Sequence, residues 1–111
     1  MREYFDSGKN KLSFIIDEDA DRPESFAIAK SMIEQTYPSL VVKEDYPPFW
    51  NTGKFLISTE DDIEIELFFS EYFGGTEILI DNNLIDETKN KVRQLAGKIY
   101  NAIHNNEPRP R

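Results

Sequence analysis

Cysteine is absent from all 111 residues, which excludes disulfide frameworks, thiolate metal sites and cysteine nucleophiles together. Long apolar runs are missing as well. No stretch approaches the ~20 consecutive apolar residues of a membrane span, and the first residues, Met1-Arg2-Glu3-Tyr4-Phe5-Asp6, have no signal-peptide core. The expectation is a soluble, cytoplasmic protein. Histidine occurs once, at His104 beside two asparagines, where a protonated imidazole would suit a helix carboxyl end and where no catalytic neighbour is evident. Gly74-Gly75 lacks the further glycines and the following helix of a phosphate loop, and neither G-x-S-x-G nor H-E-x-x-H occurs. No cofactor and no metal are therefore expected. The spacing of Asp17, Asp19 and Asp21 invites a calcium loop, but Arg22 stands where that loop needs glycine and Ile28 where it needs a bidentate glutamate.

Positive charge is scarce where it would matter for nucleic acid. The formal charge is −8, and it is uneven: residues 1–83 hold 18 acids and 7 Lys/Arg, a net of −11, whereas residues 84–111 hold 3 acids and 6 Lys/Arg, a net of +3. Between Phe55 and Asp81 there are eight acids and no Lys or Arg. Such a segment repels phosphate backbones and attracts cations or basic proteins, so nucleic-acid binding is not expected.

What is present centres on residues 54–81, three alternating apolar runs separated by two turn signals. Ile63, Ile65, Leu67 and Phe69 recur at period two, as in a strand whose two faces meet different surroundings. A three-residue loop over 60–62 pairs Ile57 with Ile65 and Phe55 with Leu67, keeping apolar residues on one face; a two-residue loop would set Ile57 against Glu64. Gly74-Gly75 suits a two-residue hairpin loop, which would place Phe69 opposite Ile80. The core face of this meander then carries Phe55, Ile57, Ile63, Ile65, Leu67, Phe69, Ile78 and Ile80. Its other face mixes acids with apolar and aromatic groups: Leu56, Ser58, Glu64, Glu66, Phe68, Ser70, Tyr72, Glu77, Leu79 and Asp81. Two readings stand for that face. A loop or the amino-terminal segment covers Phe68, Leu56 and Leu79, or the face is open to a partner.

Around the meander, residues 11–17 read as a strand apolar on both faces and Glu3-Tyr4-Phe5 as a second, less regular one. Asp21-Arg22-Pro23-Glu24 has the pattern of a helix start, and a helix over 23–37 stops ahead of Pro38. Its stripe is Phe26, Ala29, Met32 or Ile33, and Thr36 or Tyr37, with Lys30 and Glu34 paired on the outside. A strand at Leu40-Val41-Val42 leads into Tyr46-Pro47-Pro48-Phe49-Trp50. There two prolines stiffen a loop that either presents Tyr46, Phe49 and Trp50 to a partner or folds the last two inward. A second helix over 84–104 has the stripe Ile85, Val92, Leu95, Ala96, Ile99, Ala102 and Ile103, expected to bury the core face of the meander. Lys89, Lys91, Arg93 and Lys98 fall outside that stripe. Residues 105–111 read as a flexible tail.

The expected architecture is a single α+β domain over 1–104, a two-layer sandwich with two helices on one face of a mostly antiparallel sheet, in the order (β)βαββββα. In size, charge and layout it resembles bacterial immunity proteins that neutralise toxin domains, and also acidic chaperones of secreted effectors. That resemblance implies a non-enzymatic protein-binding module, monomeric or homodimeric, for a basic toxin (a nuclease among them) or effector. The residues expected to carry binding are Glu64, Glu66, Phe68, Tyr72, Glu77, Leu79 and Asp81, with Tyr46, Phe49 and Trp50 as a second patch. A third reading makes Glu64 and Glu66 the paired carboxylates of a hydrolase, since i and i+2 on one strand face approach the ~6.5–9.5 Å of inverting glycosidases.

Overall fold

The computed structural model describes residues 1–19, 23–37, 39–45, 52–59, 63–70 and 75–105. They form β1 (Arg2–Asp6), β2 (Lys11–Asp17), α1 (Pro23–Thr36), β3 (Ser39–Asp45), β4 (Thr52–Thr59), β5 (Glu64–Ser70), β6 (Gly75–Asp81) and α2 (Asp86–His104). The strands make one six-stranded sheet in the order β1-β2-β6-β5-β4-β3. Every neighbouring pair is antiparallel. The expected two-layer α+β order is thus observed, with the amino-terminal strand present: the Asp6 carboxylate accepts the Gly8 and Lys9 amides at 3.1 and 3.3 Å, and Asn10 takes positive φ (54°), a tight turn suited to these residue types.

Crossing over through α1, the chain places β3 at the far edge, and the β3–β6 meander returns to pair β6 with β2. Ile57 faces Ile65 and Phe55 faces Leu67, as the odd-loop register requires. The β5–β6 register differs from expectation. Phe69 lies opposite Thr76, not Ile80, because Ser70 pairs with Gly75. The slide is even, so no side chain changes face, and it matches Leu67 with Ile78 and Ile65 with Ile80. Gly75 serves as a close-approach residue within the strand. Its φ is +145°, and a Cβ there would stand 1.9 Å from the Asp17 carbonyl oxygen.

One face of the sheet is apolar and lies under both helices. Phe14, Phe55, Ile57, Ile65, Leu67, Ile78 and Ile80 are fully buried, in one cluster with Phe26, Ala29 and Ile33 of α1 and Val92, Leu95, Ala96, Ile99 and Ile103 of α2. Each of the Val, Leu, Ile and Phe side chains among them contributes ~1.5–3 kcal/mol by leaving water. The division of labour between the helices differs from expectation. α1 lies over β5 and β6, while α2 lies over β2 and against α1. Ile85 also leaves the expected stripe: it sits ahead of the helix in extended conformation and is 67 % exposed, so helical periodicity does not govern its direction.

A register shift between Ile15 and Asp17 sets Asp17 opposite Thr76 and turns its carboxylate to the helix side. There it accepts the Ser25 hydroxyl in the first turn of α1 and the Asp19 amide at 3.0 Å. A buried carboxylate at that position matches the positive end of the helix. One residue back on β2, the His104 ring Nε2 lies 3.0 Å from the Ile16 carbonyl. A carbonyl only accepts, so this nitrogen carries the proton, and the bond fastens the end of α2 to β2.

Candidate functional site

Because side chains alternate, the strands that build the core also build a second surface, on which no described helix packs. Its make-up follows from the register. One row runs Tyr4, Ser13, Leu79, Glu66, Leu56 across five strands, and the next runs Arg2, Ile15, Glu77, Phe68, Lys54. The sheet therefore brings Glu66, Phe68, Glu77 and Leu79 together as expected. Asp81 stands opposite Lys11 and accepts the Asn83 amide at 2.8 Å. Tyr46, Phe49, Trp50 and Tyr72 lie outside the described residues.

Two of the expected surface groups are not surface groups. Leu79 is only 3 % exposed and Ser70 is fully buried. Leu79 stands mid-sheet, between Ser13 and Glu66. Phe68, Leu56, Glu66 and Glu77 are half-buried, and Glu64 is exposed.

Nor is this face free of bases. The stretch from Phe55 to Asp81 has none, yet strand pairing imports Arg2, Lys11 and Lys54 from elsewhere in the chain and sets Lys43 opposite Leu56. Lys54 Nζ is 2.9 Å from a Glu66 carboxylate oxygen whose side chain is 22 % exposed. Glu77 is held differently, by neutral donors: its Oε2 accepts the Ser13 hydroxyl at 2.8 Å and the Tyr4 phenol at 3.1 Å. Burial pushes the Tyr4 phenol above its ordinary pKa, and the Glu77 charge adds to the rise, so Tyr4 remains a donor at neutral pH. Glu77 Oε1 has no partner among the described residues. Tyr4 and Ser13 escape sequence reasoning, since they reach Glu77 only through the β1–β2–β6 pairing and carry no local signal of it.

Beside Glu77 lies a cavity of about 210 Å³ with Phe68 and Ile15 on its walls and Arg2 and Glu18 among its lining; those two are ion-paired at 3.0 Å. Thr76 also lines it, and the Thr76 hydroxyl is the one side-chain polar atom found both buried and unpartnered among the described residues. On the helix side there are larger grooves, one of about 420 Å³ lined by Tyr37, Ile63, Leu84, Ile85 and Lys91 among others. Neither Glu64 nor Glu66 lines any of these concavities. No cluster of three metal-ligating side chains occurs among the described residues, and no described helix is long and apolar enough to cross a membrane. No family model, curated protein or solved structure matches the chain.

Proposed function

We propose that the chain is a non-enzymatic protein-binding module of the immunity type, whose helix-free sheet face covers a basic surface on a toxin domain, with a nuclease as the fitting target. The observation that carries this is the composition of that face: half-buried Phe68 and Leu56 among Glu64, Glu66, Glu77 and Asp81, with six acids, Asp6 and Asp45 included, to the four bases Arg2, Lys11, Lys43 and Lys54 at its register positions. Exposed acids speed encounter with a basic protein, while desolvated aromatic contacts slow its departure. The hydrolase reading loses ground because Glu66 is engaged by Lys54 and neither glutamate lines the concavities described above.

A chaperone or adaptor for an aggregation-prone protein is the second reading. Ile85, 67 % exposed beside the groove of Tyr37, Ile63 and Leu84, favours it, because that role needs apolar surface more than charge. Capture of the partner from the native cell, followed by identification and an assay of its activity, separates the two. The immunity reading expects a basic partner that is inhibited on binding, lost with Glu64→Lys/Glu66→Lys and retained with Lys91→Glu. Loss through Ile85→Ser with retention by the sheet-face variant would replace it with the chaperone reading.

A further inference from the structure

The chain contains, on its helix-covered face, a finished example of how it recognises arginine. Glu3 and Phe14 are directly opposite each other on β1 and β2. Arg93 reaches down from α2 to that pair, with Nε 2.6 Å and an Nη 3.1 Å from the two Glu3 carboxylate oxygens and its guanidinium carbon 5.9 Å from the Phe14 ring centre. Carboxylate and phenyl, one strand apart, thus hold a guanidinium by a forked ion pair and by its attraction to the ring face. The same pairing recurs on the other face of the sheet. Phe68 and Glu77 are directly opposite on β5 and β6, and the 210 Å³ cavity is walled by both.

We propose that this cavity is an anchor pocket for one arginine side chain of a protein partner, with Glu77 Oε1 as its ion-pair acceptor, Phe68 as its stacking wall and Ile15 against its aliphatic stem. The inference rests on the protein-binding reading above and names the group that reading must accommodate. Size argues for a single side chain, because ~300–1,000 Å³ is the range for larger ligands. Charge argues for a cation: the lining holds three carboxylates, Asp17, Glu18 and Glu77, against one guanidinium, Arg2. Asp17 is turned towards α1 and Glu18 is paired with Arg2, which leaves Glu77 as the acceptor. Its two hydroxyl donors both bond Oε2, so the carboxylate is fixed in orientation before any ligand arrives, and fixed groups lose little freedom on binding. Arginine suits the site better than lysine, since a planar group with five donors can stack on Phe68 while bonding Glu77, and a point charge cannot do both equally.

The test is a titration of the full chain with N-acetyl-arginine amide, followed by backbone amide resonances. Its uncharged counterpart N-acetyl-citrulline amide and a tetra-arginine peptide are run in parallel. Saturable shifts confined to Phe68, Gly75, Thr76 and Glu77, absent with citrulline, are expected. Glu77→Gln keeps an acceptor for Ser13 and Tyr4 and should weaken binding roughly tenfold or more, the scale of a charge-assisted hydrogen bond. Arg2→Ala removes an exposed competitor and should tighten binding about two- to fivefold, the scale of a screened surface pair; weaker binding of the arginine probe in that variant would mean that Arg2 builds the site and does not compete for it, and would overturn the proposal. So would silence at the pocket amides with every probe. If the peptide moves the amides around Glu64 and Glu66 while the pocket stays silent, the pocket is refuted and the protein-binding face stands. If the single arginine saturates the pocket and the peptide perturbs nothing beyond it, the pocket stands and the wider face falls.

Discussion

Two faces of one sheet, built by alternate residues of the same strands, reach burial by different means. On the first, a second layer of helix closes over Phe14, Phe55, Ile65 and Ile78 and removes them from water entirely. On the second, where no described helix packs, burial grades from Leu79, nearly inaccessible, through Phe68 and Glu77 to exposed Glu64. The difference teaches where change is tolerated. A substitution on the first face opens a cavity between layers, whereas one on the second alters a surface that the fold does not depend on to the same degree.

The sharpest contrast should come from Leu95→Ala, which empties space beneath α2. A loss of ~2–5 kcal/mol is expected in urea unfolding, against less than ~1.5 kcal/mol for Leu56→Ala on the half-buried face. Equal losses would erase the distinction between the faces. Next in size, Gly75→Ala forces a Cβ against the Asp17 carbonyl and should cost roughly 1–3 kcal/mol or more through backbone displacement. Its circular dichroism should stay native while its unfolding midpoint falls; an unchanged midpoint would show that the β2–β6 approach has slack.

Much of the helix-covered face is legible without coordinates because two periodicities, 2 for strands and 3.6 for helices, converge on one apolar set. Ile57 against Ile65 follows from that matching alone. Phe69 against Ile80 does not survive, because Gly75 is needed where β6 passes the Asp17 backbone, a contact between segments far apart in sequence. Ile85 fails for a local reason, standing one residue ahead of the helix whose period was applied to it. The second face is legible only in part. Glu66, Phe68 and Glu77 share it as read from their spacing, but the bases that interleave with them, and the Tyr4 and Ser13 hydroxyls that orient Glu77, arrive through strand order, which alternation within one segment does not encode.

Smaller effects sharpen the comparison at its edges. Thr76→Val removes the buried, unpartnered hydroxyl and should raise stability by about 1 kcal/mol; a drop of that size would mean that the hydroxyl is satisfied in solution. The Glu3–Arg93 pair at the rim of the covered face should give a weaker signal, read through pH. The hydrogen bond from Arg93 holds the Glu3 carboxyl below its ordinary value. A depressed carboxyl stabilises the fold above its unfolded pKa and loses that contribution as pH falls through the folded value. Since both side chains are about a third exposed or more, screening limits the effect to less than ~1 kcal/mol. Comparing Glu3→Gln with the parent at pH 7 and near pH 3 should show a gap that closes on acidification, and a gap constant with pH would assign the loss to packing.

The central claim is that the helix-free face binds a cationic protein, with its acids governing encounter and its apolar groups governing release. Association and dissociation rates of the identified partner, measured at low and high salt with folded variants, test it most directly. Glu64→Lys/Glu66→Lys should lower the on-rate and flatten its salt dependence, and Phe68→Ala should mainly raise the off-rate. Rates indistinguishable from the parent in both variants, at both salt concentrations, would contradict the claim.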